Sequence, residues 1–204
     1  MRRIVIADAG PLIALARIDK LGLLHQLFGQ VTLTTQIAQE LLDGGLFPDT
    51  PTLELALSQP RLQTVDVGNL LPDDWLDQCR DWMNLHQIDL GEASAMVLAQ
   101  HSQSQGDSAL LVLDDFRGRS AAQHAGFAIV GTTGLLLLAK QAGLVTTVKP
   151  LMLALRQSGY FLSDRLIEAA LRQTGELAYC SAKTSATPAV TASIKADSSG
   201  AAAI

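Results

Sequence analysis

Acidic residues at five positions have the types and the spacing for divalent-cation chemistry: Asp8, Glu40, Glu92 and the adjacent pair Asp114-Asp115. Asp8 directly follows the apolar, β-branched run from Arg3 to Ala7, and Asp114 follows the unbroken apolar run from Ala109 to Leu113. In open parallel sheets, ligands bind outside the carboxyl ends of the strands. Two strand-ending acids far apart in sequence can therefore meet on one edge. Glu40 sits on a helical stretch with Ile37 three residues behind it, and so borders an apolar face. Glu92 opens a small-residue stretch, Ala93 to Ala99, that is apolar nearly all round and reads as a buried helix. Each acid also has a plainer reading: a helix cap before Pro11 for Asp8, a turn for the pair, a solvent-facing side chain for Glu40, a dipole-favoured first turn for Glu92. The set is harder to dismiss. Two carboxylates 4 Å apart at an effective dielectric near 20 repel by about 4 kcal/mol. Hard oxygen donors without Cys or His spacing suit Mg²⁺ or Mn²⁺ rather than zinc.

These acids need elements to position them. Strands are expected over 3–7, 31–34, 62–67, 109–113 and 127–130. Helices are expected from Pro11 to Ile18, over 21–28, from a Thr35 cap to Leu42 with Gly44-Gly45 as a stop, and over 53–57. Further helices are expected over 73–85, 91–101, 118–125, 135–142, 149–156 and 163–172, the last capped by Ser163. Pro11 suits a first helical turn, where its missing N–H is no loss. Continuously apolar strands alternating with helices define an α/β fold with a parallel sheet covered on both faces. The expected organisation is a domain over 1–145, a helical extension over 146–176, and an Ala/Ser/Thr/Lys-rich tail over 177–204 without periodicity, read as disordered.

Of the 204 residues, 48% are hydrophobic and 17% charged, which fits a globular chain. Cys79 and Cys180 are too far apart for a ribbon or a disulfide framework. The apolar stretch after Arg2-Arg3 is interrupted at Asp8, short of a secretory core, and no later run spans a bilayer. A cytoplasmic protein without a membrane segment is expected. The net charge of −5 argues mildly against nucleic acid, unless several acids are neutralised by bound cations.

Taken in order, Asp8-Ala9-Gly10-Pro11-Leu12-Ile13-Ala14-Leu15, Glu40, Leu90-Gly91-Glu92-Ala93-Ser94-Ala95 and Leu113-Asp114-Asp115-Phe116-Arg117-Gly118-Arg119 resemble the PIN-domain family, in its prokaryotic, toxin-type branch. The resemblance covers about residues 3 to 145, and the helices to about Glu176 also look like that branch. It implies a Rossmann-like three-layer fold around a central parallel sheet, plus the C-terminal helices. It further implies a Mg²⁺ or Mn²⁺ site of three or four acids, endoribonuclease activity on RNA, and a small antitoxin as partner. Carried over, the acids are Asp8, Glu40, Glu92 and one of Asp114 or Asp115, with Asp115 slightly favoured. The third acid is a glutamate where the family more usually has aspartate.

In such a site a carboxylate, Glu40 or Glu92, would take a proton from the attacking water, and Arg117 and Arg119 would hold phosphate. His25, His86, His101 and His124 lack ligand spacing, Ser94 lacks a G-x-S-x-G frame, and no phosphate-binding glycine motif occurs. Trp75 and Trp82 read as core or partner-facing. A phosphatase-like site would need an acid where Gly10 stands. A non-catalytic module that holds RNA or protein is the alternative from a different class. The C-terminal helices around 151–155 and 166–171 either serve a homodimer or cover the sheet.

Overall fold

The computed structural model describes residues 2–43, 50–71 and 73–177. The expected Gly44-Gly45 stop and the tail from Ala178 lie outside them. Five strands are present: β1 (Arg3–Ala7), β2 (Val31–Thr34), β3 (Leu62–Val65), β4 (Ser108–Val112) and β5 (Ala128–Val130). They form one all-parallel sheet in the order β3-β2-β1-β4-β5. Eleven helices connect and cover it among the described residues: α1 (Ala9–Arg17), α2 (Gly22–Phe28), α3 (Thr35–Asp43), α4 (Thr50–Leu57), α5 (Val67–Leu70), α6 (Trp75–His86), α7 (Leu90–Ser104), α8 (Phe116–His124), α9 (Thr132–Gln141), α10 (Lys149–Gln157) and α11 (Asp164–Gln173). The result is the three-layer α/β arrangement expected from the sequence.

Strand order reverses at β1, which pairs with β2 on one side and β4 on the other. Such a switch point opens a crevice at the carboxyl ends of the strands. Val5, Ile6 and Ala7 of β1 and Ala109 to Val112 of β4 are buried, as a sheet covered on both faces requires. Across β1, β2 and β4 lies α7, whose residues Gly91 to Ala99 are all buried. Its small side chains let it sit close to the sheet, and α6 packs outside it.

Several boundaries differ from the sequence expectation, each for a local reason. The third strand stops at Val65 because Asp66 caps the short α5, its Oδ1 accepting from Gly68 N at 2.9 Å. The cap of α3 is Thr34 rather than Thr35: the Thr34 hydroxyl accepts from Ile37 N at 3.3 Å. Helix α8 starts at Phe116, two residues early, because Asp115 caps it. Ser163 caps α11 as expected, with its Oγ accepting from Leu166 N.

The segment 146–176 shares the core with the rest of the chain. Met152, Leu155, Ile167, Ala170 and Leu171 are buried in the same cluster as β1 and β4, so these helices turn their apolar faces inward. Glu176 fastens the end of the segment. Its Oε1 accepts from Lys140 Nζ and Val148 N at 2.6 Å each, and its Oε2 from Lys149 N at 2.8 Å. Burial would raise its pKa, but these donors outweigh it and hold the carboxyl below its ordinary value. We expect Glu176→Ala to cost about 2–4 kcal/mol, since it strands a half-buried lysine and two helix-start N–H groups. Thermal unfolding should show a fall of roughly 5–15 °C, and an unchanged midpoint would refute the latch.

Candidate functional site

The carboxyl ends of β1 and β4 are tied together by Asp8 N, which donates to Val112 O at 3.0 Å. Asp8 takes the cap position of α1 in extended backbone, yet its side chain makes no capping hydrogen bond. The cap reading therefore does not account for this buried carboxylate, which is 9% exposed. Helix α3 brings Glu40 in from the exposed side. Helix α7 opens with a capping box, a reciprocal pair of side chain-to-backbone bonds. Asp89 Oδ1 accepts from Glu92 N at 2.8 Å, and Glu92 Oε2 accepts from Asp89 N at 3.3 Å. The other Glu92 oxygen, Oε1, is buried with no hydrogen-bond partner.

Glycines make room for these carboxylates. A methyl group on Gly118 would fall 2.2 Å from Glu92 Oε1. One on Gly91 would fall 3.0 Å from Glu40 Oε2 and 3.3 Å from Asp89 Oδ1. Helix α8 starts beside α7 at this point, capped by Asp115, whose Oδ1 accepts from Arg117 N at 2.7 Å and Gly118 N at 3.2 Å.

The electrostatics are one-signed. Burial first, then Glu92, Glu40 and Asp89, push Asp8 up to about 8, with the Ala9 N–H working the other way. Glu92 is pushed up to about 7 by burial and then by Asp89, with smaller contributions from Asp115 and Glu40. Burial and Asp89 also raise Glu40. The structure thus brings Asp8, Glu40, Glu92 and Asp115 within electrostatic reach of one another and adds Asp89, which the sequence reading missed. Its signal was present: Asp89-x-x-Glu92 ahead of an apolar run is a capping-box pattern.

Asp114 and Arg119 engage the start of α9 and the end of β4. Asp114 turns to the start of α9, accepting from Thr132 N at 2.8 Å and Thr132 Oγ1 at 2.5 Å. Tyr160 also bonds it, and burial together with this carboxylate holds the phenol above its ordinary pKa. Arg119 Nη1 donates to Leu113 O at 3.0 Å, half-buried behind the strand end. Arg117 is exposed and reaches Gln87 O at 3.2 Å, bridging α8 to the turn before α7.

Among the described residues, no three or more His, Cys, Asp or Glu side chains are gathered so that they could hold a metal ion. The chemistry of the donor set nevertheless fits a hard cation. The acids offer only oxygen, Asp8 and Glu92 repel when both ionised, and Glu92 Oε1 lacks a donor that a cation would replace.

A parallel sheet with acids gathered at its switch point defines the class of protein: a Rossmann-like α/β domain with a candidate acidic site at the strand ends. The chain matches the PIN-domain family over residues 4–176, and it belongs to that family. PIN domains are generally nucleases and generally use divalent metal ions. No curated protein and no solved structure matches the chain.

Because Asp8 and Glu92 have raised pKa values when folded, their contribution to stability is full below the ordinary carboxylate range. It is lost as pH rises through about 7 and 8. Metal-free protein should therefore melt lower at pH 8 than at pH 5, and added Mg²⁺ or Mn²⁺ should recover more at pH 8. At a hundred times the dissociation constant, the gain is about 2.7 kcal/mol, or roughly 5–10 °C. Gly118→Ala should abolish that cation-dependent gain by displacing the Glu92 carboxylate. An equal gain at both pH values, or in the Gly118 variant, would contradict the site.

Proposed function

We propose that this chain is a divalent-metal-dependent endoribonuclease that hydrolyses RNA phosphodiester bonds at the carboxyl ends of β1 and β4. The observation that carries the reading is the buried, unpartnered Glu92 Oε1, on an acid whose charge interacts with that of the buried Asp8. Asp8 and Glu92, with Asp115 beside them, would hold Mg²⁺ or Mn²⁺. Held there, the cation would supply a lowered pKa for a water and would offset charge developing on the scissile phosphate.

The remaining steps fall to the chain's own side chains. Glu40, whose raised pKa suits proton exchange, stands on the exposed rim and accepts the proton from the attacking water. Asp89 holds the first turn of α7, and with it Glu92, in register. Arg117, exposed at the start of α8, offers a guanidinium to phosphate. Asp114 and Arg119 act as a brace under the site, fixing the start of α9 and the end of β4.

The same reading takes the protein to be a toxin-type cytoplasmic enzyme controlled by a small antitoxin. No helix among the described residues is long and apolar enough to cross a membrane. The alternative is a module that binds RNA or protein without cutting. The net charge of −5 favours its protein-binding form, since a net-acidic chain draws a polyanion weakly.

The deciding experiment is cleavage of a mixed RNA pool with Mg²⁺ or Mn²⁺, against a chelator control. Asp8→Asn and Glu92→Gln should each reduce cleavage by about a hundredfold or more with the fold intact. Asp114→Asn should instead destabilise by about 1–3 kcal/mol, because it loosens the Thr132 cap. Wild-type rates from Asp8→Asn would end the proposal, and cation binding without turnover by the wild type would select the binding module.

A further inference from the structure

A second concavity lies at the other end of the sheet from the acids. Val31 and Leu62, the first residues of β2 and β3, line it, so it opens at the amino ends of these strands. Helices α2 and α4 wall it, with Leu24 from the first and Leu55 from the second. Its volume is about 220 Å³. That exceeds the ~150 Å³ that encloses benzene in a protein core and falls short of the ~300–1,000 Å³ of sites for drug-sized ligands. The lining is mainly apolar, and Leu55 within it is 64% exposed. Two residues give the cavity a sign. No described Asp or Glu lines it, whereas His25 and Arg61 do. Arg61 stands directly before β3, its carbonyl accepting from Val31 N at 3.0 Å. Its exposed guanidinium has no hydrogen bond or ion pair among the described residues. His25 Nδ1 lies 2.5 Å from Gly29 O. A carbonyl only accepts, so Nδ1 holds the proton and Nε2 is the ring nitrogen left for a ligand.

We infer that this cavity binds a small organic monocarboxylate, with a short alkyl chain or a single aromatic ring in the apolar interior and the carboxylate on Arg61. The inference is independent of the nuclease reading. A guanidinium fork matches a carboxylate through two parallel N–H···O bonds. As an imidazolium, His25 also donates from Nε2. The size confines the ligand to one short chain or ring, since apolar atoms beyond the walls stay in water and gain nothing. A phosphate ester carries a second charge, for which the lining offers no second permanent cation.

Isothermal titration of the full wild-type chain with octanoate and with benzoate tests this. At least one should bind once per chain, with a Kd between about 10 µM and 1 mM. Arg61→Gln, a change at an exposed position, should weaken that binding about 10- to 100-fold. The neutral amide of the same acid should bind the wild type equally weakly. Acetate, the head group alone, should give no saturable binding. Ala56→Trp, which fills the cavity from α4, should abolish binding of the acid, whereas Arg80→Gln on α6, outside the lining, should leave it unchanged. No binding of either acid would overturn the inference. So would an Arg61→Gln chain, or the amide, that binds as well as the wild type binds the acid, because the charged anchor would then be absent. Acetate binding as tightly as the longer acid, or full binding by Ala56→Trp, would overturn it by removing the apolar interior from the site.

Discussion

The burial of like charges at one edge of a parallel sheet is the constraint on which the rest of this structure turns. Asp8 is nearly enclosed at the end of β1, and the charges acting on it, from Glu92, Glu40 and Asp89, are all negative. A fold selected for stability alone would not gather them there, because burial and mutual repulsion both disfavour ionisation. The surroundings are shaped to tolerate it. Gly118 leaves space for the Glu92 carboxylate where any side chain would collide, and Gly91 fits tightly against Glu40 and Asp89. Backbone N–H groups at the starts of α7 and α8 satisfy one oxygen each of Asp89 and Asp115.

That arrangement requires rigid support from behind, and the neighbourhood of Asp114 supplies it. The two adjacent aspartates divide the labour: Asp115 looks toward Glu92 and caps α8, whereas Asp114 looks toward Thr132 and Tyr160. Through Tyr160 the C-terminal segment reaches the floor of the site, and through Glu176 it is fixed to α9 and the start of α10. The segment is thereby part of the scaffold that holds β4 and α9 in place.

Much of this was legible in the residue order. The continuous apolar runs at 3–7 and 109–113 identified central parallel strands, because a strand covered on both faces has no polar side. Ser163 marked the start of α11 through a hydroxyl's preference for orphan N–H groups. Where boundaries moved, capping chemistry decided against hydrophobic periodicity: Asp66 ended β3, Thr34 rather than Thr35 capped α3, and Asp115 brought α8 forward to Phe116. Asp89 was overlooked because its role is to bond a helix start, a feature that carries no hydrophobic signal.

By itself the sequence determined the class of fold and the family, because strand burial, helix periodicity and short motifs are local properties that survive without coordinates. It also showed that Asp8 and Glu92 lie beside apolar segments. Only the tertiary structure decided which acids face one another. The direction of a side chain at a strand end depends on the register of β1 against β4 and on where α7 and α8 start, and residue order encodes neither distance. For that reason Asp114 and Asp115, equivalent as letters, became a brace and a cap. Arg117 and Arg119, equally basic, ended one at the rim and the other beneath the strand end.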